Sequence, residues 1–423
     1  MQRAFYEQRG GEAFAEIPHE AVDNPWLAAA YARVIAAFVR DAGLDPSQPL
    51  RIVELGAGTG RFAHGLRREL RERIDHDLQY VMTDFAQRQL DDWAANPALE
   101  GFELARLDLT SGSLPGGLAA EPLVVIANYV FDSVPADAFA VRDGVLEECL
   151  VEVTGDLELN YTRRPVTPGH YGDPDLDALL EHYRANLGDT VFTIPRTALA
   201  ALRALREAAN DRLLLLAADK AFSTEEALGH REEPQPARHS GAFSLMVNFH
   251  ALGHYAERHG GTLLHGGDRH AAIDVGAFVF GTSSETRAAY ADAIAGFGPG
   301  DLAILTQGVE RVADGLTVAE IVALLRLSRW DATTLHAVLG PLLEHAADAD
   351  PATQEDLREA LMEIDDRHFR VPGEPDLPFA IGLLLYELQD YEDAIAYFEA
   401  SLEQHGHDPA TEKNIELCEA MLD

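Results

Sequence analysis

Three glycines at alternate positions, in Glu54-Leu55-Gly56-Ala57-Gly58-Thr59-Gly60, follow the apolar run Arg51-Ile52-Val53 and lead into a helical pattern opened by Arg61-Phe62. Glycine lets a chain turn tightly and lets a ligand approach the backbone with no Cβ in between, and amides at the following helix start can meet a carboxylate. A dinucleotide fingerprint would place its third glycine one residue later, where Arg61 stands, and a Walker loop would need Lys followed by Ser or Thr. Neither NAD, FAD nor a nucleoside triphosphate is therefore expected. Further polar residues follow at the ends of successive apolar runs: Asp84, placed to accept both hydroxyls of a ribose; Asp108, placed to accept from an exocyclic amino group of adenine; and Asn128, at the lip of the same crevice. Each alone is commonly a cap or a turn residue. Together with Glu54 they put polar groups on one carboxyl edge at four strand ends in succession.

The elements that must hold these groups can be read from periodicity. Leu50–Leu55, Gln79–Thr83, Phe102–Leu107 and Leu123–Ala127 are short apolar runs, with helix-like sequence between the first pairs, which predicts a doubly wound α/β fold with a mostly parallel sheet. Upstream, Pro25 starts a helical pattern that runs to Gly43. Alternation around Val145–Tyr161, including Leu157-Glu158-Leu159, predicts an antiparallel insertion, followed by a helix over Leu176–Leu187. The parallel pattern resumes with a helix near Thr197–Ala209, a strand Arg212–Ala218, a helix Phe249–His259 and a final strand pair near Thr262–Leu264 and Gly276–Phe280. Ala221–Gly241 lacks periodicity and reads as a mobile loop. After Ser283 the pattern is helical, punctuated at Gly298-Pro299-Gly300, Pro341, Pro351 and Pro372 to Pro375. The expected domains are an N-terminal helical segment (1–48) packing on a catalytic domain (49–284, with an insertion at about 145–190), then an all-α domain (285–423).

Composition narrows the partners. The 423 residues carry 71 Asp and Glu against 33 Lys and Arg, a formal charge of −38 that disfavours docking on nucleic acid or anionic membrane. Only Lys220 and Lys413 are lysines, a bias typical of GC-rich bacterial genomes. Cys149 and Cys418 lie too far apart in sequence for a metal cluster, and the absence of an apolar leader or spanning run leads us to expect a cytoplasmic protein. His230, His239, His250 and His254 show no compact ligand spacing, so no metal is expected.

Residues 49 to 130 resemble class I S-adenosylmethionine-dependent methyltransferases, whose cofactor motifs match the glycine loop, Asp84 and Asp108. The resemblance implies S-adenosyl-L-methionine as cofactor, with Glu54, Gly56, Ala57, Gly58, Gly60, Asp84, Phe85, Asp108, Leu109 and Asn128 contacting it. A narrower similarity, to the MidA-like group that includes the mitochondrial complex I assembly factor methylating protein arginine, rests on Ala127-Asn128-Tyr129-Val130-Phe131-Asp132-Ser133-Val134-Pro135. Ile194-Pro195-Arg196-Thr197-Ala198-Leu199 and Met246-Val247-Asn248-Phe249 add to it. The chain departs from that group at Tyr129, where members carry Glu, at Asp219-Lys220-Ala221, where they read Asp-Tyr-Gly, and in Phe14-Ala15-Glu16-Ile17-Pro18-His19, a poor match to their opening motif.

Methyl transfer from a sulfonium is an in-line displacement that needs an acceptor lone pair held at about 3 Å from the methyl carbon, so positioning and water exclusion supply much of the rate. The expected catalytic residues are Asn128, Tyr129 and Asp132, on the loop that faces the crevice. Asp132 would position or deprotonate an amine or hydroxyl, and Tyr129 would close over the cofactor or stack on a substrate cation. His170 and Tyr171 fall in the insertion, expected to set substrate choice. Near the C-terminus Gly382, Leu385, Tyr391, Ala394, Phe398 and Ser401 are spaced as in one tetratricopeptide repeat, capped by a helix over Ala410–Met421. The expected function is methyl transfer to a nitrogen or oxygen of a protein or peptide, arginine first, with the C-terminal helices as the element that would hold it. A small-molecule N- or O-methyltransferase and a scaffold protein with little turnover are the alternatives, and the oligomeric state is left open.

Overall fold

Runs of Leu, Val, Ile and Ala without polar alternation become central strands only where both faces of a sheet are covered. The four runs read from the sequence do so as β1 (Leu50–Leu55), β2 (Leu78–Asp84), β3 (Glu103–Arg106) and β4 (Leu123–Asn128) in the computed structural model, which describes residues 2–16, 19, 21–112, 114, 117–154, 158–267, 273–371 and 373–423. Ile17, Pro18, Leu157 and Pro372, used in the sequence reading, lie outside the described residues. The chain then leaves the sheet for β5 (Asp137–Arg142), β6 (Val145–Val153), β7 (Leu159–Pro165) and β8 (Thr190–Ile194), an antiparallel sheet in the order β7-β6-β5-β8. It returns as β9 (Leu213–Phe222), makes the hairpin β10 (Ala237–His239) and β11 (Ala242–Ser244), runs through β12 (Val247–Asn248), and finishes with β13 (Gly261–Leu264) and β14 (Ile273–Phe280).

The main sheet has the order β13-β14-β9-β4-β1-β2-β3, with β12 pairing beside β9. It is parallel from β9 to β3, and β14 pairs antiparallel with both β9 and β13. Leu123–Ala127 of β4 and Leu213–Ala218 of β9 are fully buried. Each buried Leu, Val or Ile stabilises this arrangement by about 1.5–3 kcal/mol relative to exposure, before the entropy of ordering is subtracted.

Three readings change. The insertion is a complete four-stranded sheet from Asp137 to Ile194, wider than 145–190, because the short runs Asp137–Arg142 and Thr190–Ile194 pair with each other. Its helix, Pro174–Asn186, is capped by Asp173, whose carboxylate accepts from the amides of Asp175 and Leu176. The strand expected to end at Ala218 continues to Phe222, since β14 pairs with it as far as Lys220. Within Ala221–Gly241 lie a helical turn (Glu226–Leu228) and β10, and Val191 N donates to Arg231 O at 3.0 Å, so the segment is partly ordered by β8.

By internal contacts the chain divides into one unit of residues 1–23 and 30–301 and another of residues 24–29 and 302–423. The division falls at Leu302 rather than at 285. The helix Ser284–Tyr290 belongs with the sheet: the Thr286 amide and hydroxyl both donate to Asp41 Oδ2 at 2.8 Å, and the Tyr290 hydroxyl donates to Val275 O. The second unit is helical. Its last three helices are Leu377–Glu387, Tyr391–His405 and Pro409–Leu422, and the first two pack where Gly382 meets Phe398. A Cβ at Gly382 would lie 2.8 Å from that ring, so the small residue lets the helices approach.

Candidate functional site

The strand order reverses between β1 and β4, the place where an open α/β sheet leaves a crevice at its carboxyl edge. A cavity of about 650 Å³ lies there, within the sheet unit, a size ordinary for a small-molecule ligand. Its floor is the glycine loop. Gly56, Gly58 and Gly60 have φ of +60°, +56° and +88°, a region that a Cβ penalises. Glu54, Gly56, Ala57 and Gly58 line the cavity. Gly60, expected to contact the cofactor, is not among the residues that line the cavity; a Cβ there would lie 2.8 Å from Leu99 and 3.1 Å from Met82, so its missing side chain makes room for these two.

Acceptors ring the cavity. Glu54 is 3% exposed and accepts from the Tyr80 hydroxyl at 2.8 Å. Burial nevertheless pushes its carboxyl up to about 8. Asp84, at the end of β2, accepts from Ala86 N at 2.8 Å, and burial pushes it up to about 6. Phe85 and Leu109 add apolar walls. Asp108 lies two residues past β3. Its Oδ1 accepts from the Thr110 amide and hydroxyl, capping the turn Leu109–Ser111, and its Oδ2 accepts from Arg3 Nη1 at 2.6 Å. Those partners, Thr110 foremost, hold it below the usual carboxylate range. Asn128 ends β4 with its amide oriented from both sides: Oδ1 accepts from the Tyr31 hydroxyl at 3.0 Å and Nδ2 donates to Val22 O at 3.3 Å.

The loop after β4 brings in Tyr129 and Asp132, both lining the cavity. Tyr129 has φ +52°, an uncommon conformation for a bulky residue that its backbone setting must sustain; its amide donates to Ala218 O at 2.8 Å. The loop is anchored by Asp219, a wholly buried carboxylate in β9 that accepts from the amides of Phe131 and Asp132 at 3.3 and 3.4 Å. Asp132 is 7% exposed. Its carboxyl is held above the usual range because burial outweighs the favourable influence of Lys220 and the hydrogen bond from Ser244. Asp219 is raised by its own burial and by Asp132, so the pair resists carrying two negative charges.

Sequence reasoning missed the roof. It comes from two distant segments, the N-terminal residues Arg3, Tyr6 and Phe14 and the hairpin residues His239, Ala242, Phe243 and Ser244. The Tyr6 ring meets Phe85 edge-on at 6.1 Å, Arg3 lies over the same ring at 5.3 Å, and Phe5 leaves no space for a Cβ at Gly241. The aromatic residues among the first fourteen were the only signal for this cover. His170 and Tyr171 of the insertion do not line this cavity: Tyr171 donates to Asp137 at 2.9 Å, and both rings pack on Phe139. Of the histidines weighed above, His239 reaches the cavity and His230, His250 and His254 do not. Among the described residues, no helix is long and apolar enough to cross a membrane.

The donor set suits an adenosyl amino acid. Glu54, Asp84 and Asp108 offer carboxyl oxygens that could accept from an amine, ribose hydroxyls and an exocyclic amine, the glycine loop presents backbone without side chains, and Phe85 and Leu109 offer apolar surface to a flat base.

Residues 30–274 match the family model described as S-adenosyl-L-methionine-dependent methyltransferase. Among solved structures, the chain is similar to a Burkholderia thailandensis protein bound to S-adenosyl-homocysteine, at 19% identity over 66% of this chain and 83% of that one, with a TM-score of 0.47. It is also similar to a second, native structure from that organism, at 19% identity over 67% and 88% of the two chains and a TM-score of 0.44. For the mitomycin 7-O-methyltransferase the identity is 11% over 58% and 53%, with a TM-score of 0.28. No curated protein matches the sequence.

Proposed function

From the premise that the chain belongs to the S-adenosyl-L-methionine-dependent methyltransferase family, we propose that it methylates a nitrogen or oxygen of a protein or peptide, with arginine as the first candidate. The observation that carries this reading is Asp132, a buried carboxyl with a raised pKa on the loop lining the cofactor cavity, held in place by Asp219. A group that titrates near neutrality accepts a proton effectively at working pH. The MidA-like similarity of Ala127–Pro135 supports a protein acceptor, and the C-terminal helices, with their tetratricopeptide-like spacing, are the proposed holder of the peptide. The buried free thiols of Cys149 and Cys418 fit a reducing bacterial cytoplasm.

In this reading the bound cofactor supplies an electrophilic methyl group on a sulfonium. The protein's share is positional. Asp84 and Asp108 hold the nucleoside end, and Glu54 with the glycine loop holds the amino acid end. Tyr31 and Val22 fix the Asn128 amide, while the Arg3, Tyr6 and Phe14 cover excludes water. Tyr129 stands where a guanidinium or other cation can stack, and Asp132 takes the proton that the acceptor releases. The covered cavity also favours a second reading, a small-molecule acceptor.

Labelled cofactor incubated with cell lysate, followed by gel separation and solvent extraction, discriminates the two: label in macromolecules supports the first reading, and label only in the extract sinks it. Asp132→Asn should lower turnover of the labelled acceptor by about 100-fold while leaving S-adenosyl-homocysteine affinity within about twofold. Unchanged turnover would remove Asp132 from the mechanism.

A further inference from the structure

Away from this cavity, two imidazoles and a carboxylate converge from three separate elements. His182 lies on the insertion helix Pro174–Asn186, Glu225 opens the turn after β9, and His250 lies on the helix Phe249–Arg258. One ligand-capable atom from each falls within 4.8 Å of the other two. His182 Nε2 is 2.6 Å from Glu225 Oε2, and His250 Nε2 is 3.9 Å from the same oxygen. We propose that His182, Glu225 and His250 form a binding site for a divalent transition metal of the zinc type.

The donor chemistry fits. Zinc takes imidazole nitrogen and carboxylate oxygen at about 2.0–2.2 Å in a tetrahedral array, which puts ligand atoms roughly 3.3 Å apart. The observed spread brackets that value, and small side-chain rotations close it. The three side chains are 22–35% exposed, so an ion can enter and a water can complete the fourth position. The back of His250 is also organised: its Nδ1 lies 2.9 Å from the hydroxyl of the wholly buried Tyr183, which in turn meets Asn248. Asn248 is fixed by donating to Thr193 O at 2.8 Å and accepting from Ala251 N at 2.9 Å. With Nδ1–H donated to Tyr183, the Nε2 lone pair faces the cluster, the arrangement by which an outer partner sets a ligand's tautomer.

A simple His182–Glu225 ion pair accounts for two of the three groups, whereas a metal also accounts for His250 Nε2 turned toward the same carboxylate. The metal would join the insertion helix to the segment that leads from β9 to the hairpin roofing the cavity. His182 and Glu225 are 43 positions apart, which hides the site from any reading of local spacing.

The test uses the full chain stripped by a chelator and titrated with Zn²⁺ in calorimetry and with Co²⁺ in visible absorption. The expected result is one equivalent of tight binding and the strong ligand-field bands of four-coordinate Co²⁺. Both are lost in His182→Ala, His250→Ala and Glu225→Gln, are weakened about tenfold in Tyr183→Phe, and are unchanged in His407→Ala, a control at an exposed histidine. No binding at micromolar Zn²⁺, or binding that persists in the three ligand variants, overturns the proposal. Should the variants fail to fold, carbethoxylation of the wild type mapped by peptide mass decides: Zn²⁺ should protect His182 and His250 but not His407, and equal labelling of all three with and without Zn²⁺ overturns the site.

Discussion

The Arg3 guanidinium sits 2.6 Å from Oδ2 of Asp108, across 105 positions of sequence, and so ties the helix Gln2–Arg9 to the carboxylate proposed for the adenine end of the cofactor. Asp108 thereby serves a turn and an ion pair at once, and in the proposed reading a ligand position as well. Arg3 is half exposed, so the pair itself is worth no more than about 1 kcal/mol. Arg3→Ala is expected to raise the Kd for S-adenosyl-homocysteine by no more than about fivefold, chiefly through faster release. Asp108→Ala, which also removes the cap, should cost about tenfold or more. Stopped-flow release and calorimetry check both numbers.

If Asp84 accepts from the ribose as proposed, it should set a pH limit on cofactor binding. Its carboxyl is pushed up to about 6 by burial, and only the ionised form accepts from both ribose hydroxyls. Protonation as pH falls through 6 should therefore weaken S-adenosyl-homocysteine binding, whereas affinity at pH 7 to 8 should be flat with respect to this group. Asp84→Ala is expected to lose about 10- to 100-fold at pH 7.5, the value of hydrogen bonds to a charged group, and to lose the acid limb of the profile. Calorimetry from pH 5 to 8 reads both effects.

Glu54 couples stability to pH with the opposite slope from an ordinary salt-bridged carboxylate. Its folded pKa of about 8 lies above its ordinary value of 4.5, so the folded form binds the extra proton. The stabilisation is complete below 4.5 and is lost as pH rises through 8, at about 1.4 kcal/mol per pH unit within that window. Glu54→Gln keeps an acceptor for Tyr80 and removes the titration. Thermal melts of the cofactor-free protein should show the variant gaining on the wild type as pH rises, and parallel pH curves would refute the assignment.

Gly60 and Gly43 separate crowding from backbone strain. Both have positive φ, +88° and +59°, but a Cβ at Gly60 meets Leu99 and Met82 while one at Gly43 meets nothing within 4 Å. Gly43→Ala should cost about 1 kcal/mol from strain alone, and Gly60→Ala a further 1–3 kcal/mol from overpacking. Denaturant melts followed by a probe in the sheet unit measure the difference.

The sequence by itself determined the central sheet, the glycine turn and the carboxylates at the strand ends, because these depend on local rules: apolar runs bury as strands, positive φ selects glycine, and strand ends place the next residue at one edge. The cofactor class followed, through the motif at Glu54–Gly60 and the residues Asp84 and Asp108. Only the tertiary structure decided which groups meet across long separations. It brought Arg3, Tyr6 and Phe14 with the β10–β11 hairpin over the cavity, placed Asp219 beneath the Asp132 loop, moved His170 and Tyr171 away from the cavity, and converged His182, Glu225 and His250. The carboxyl shifts belong to the same category. Glu54 and Asp132 have unremarkable neighbours in sequence, and their protonation is governed by how much water the folded chain removes from around them.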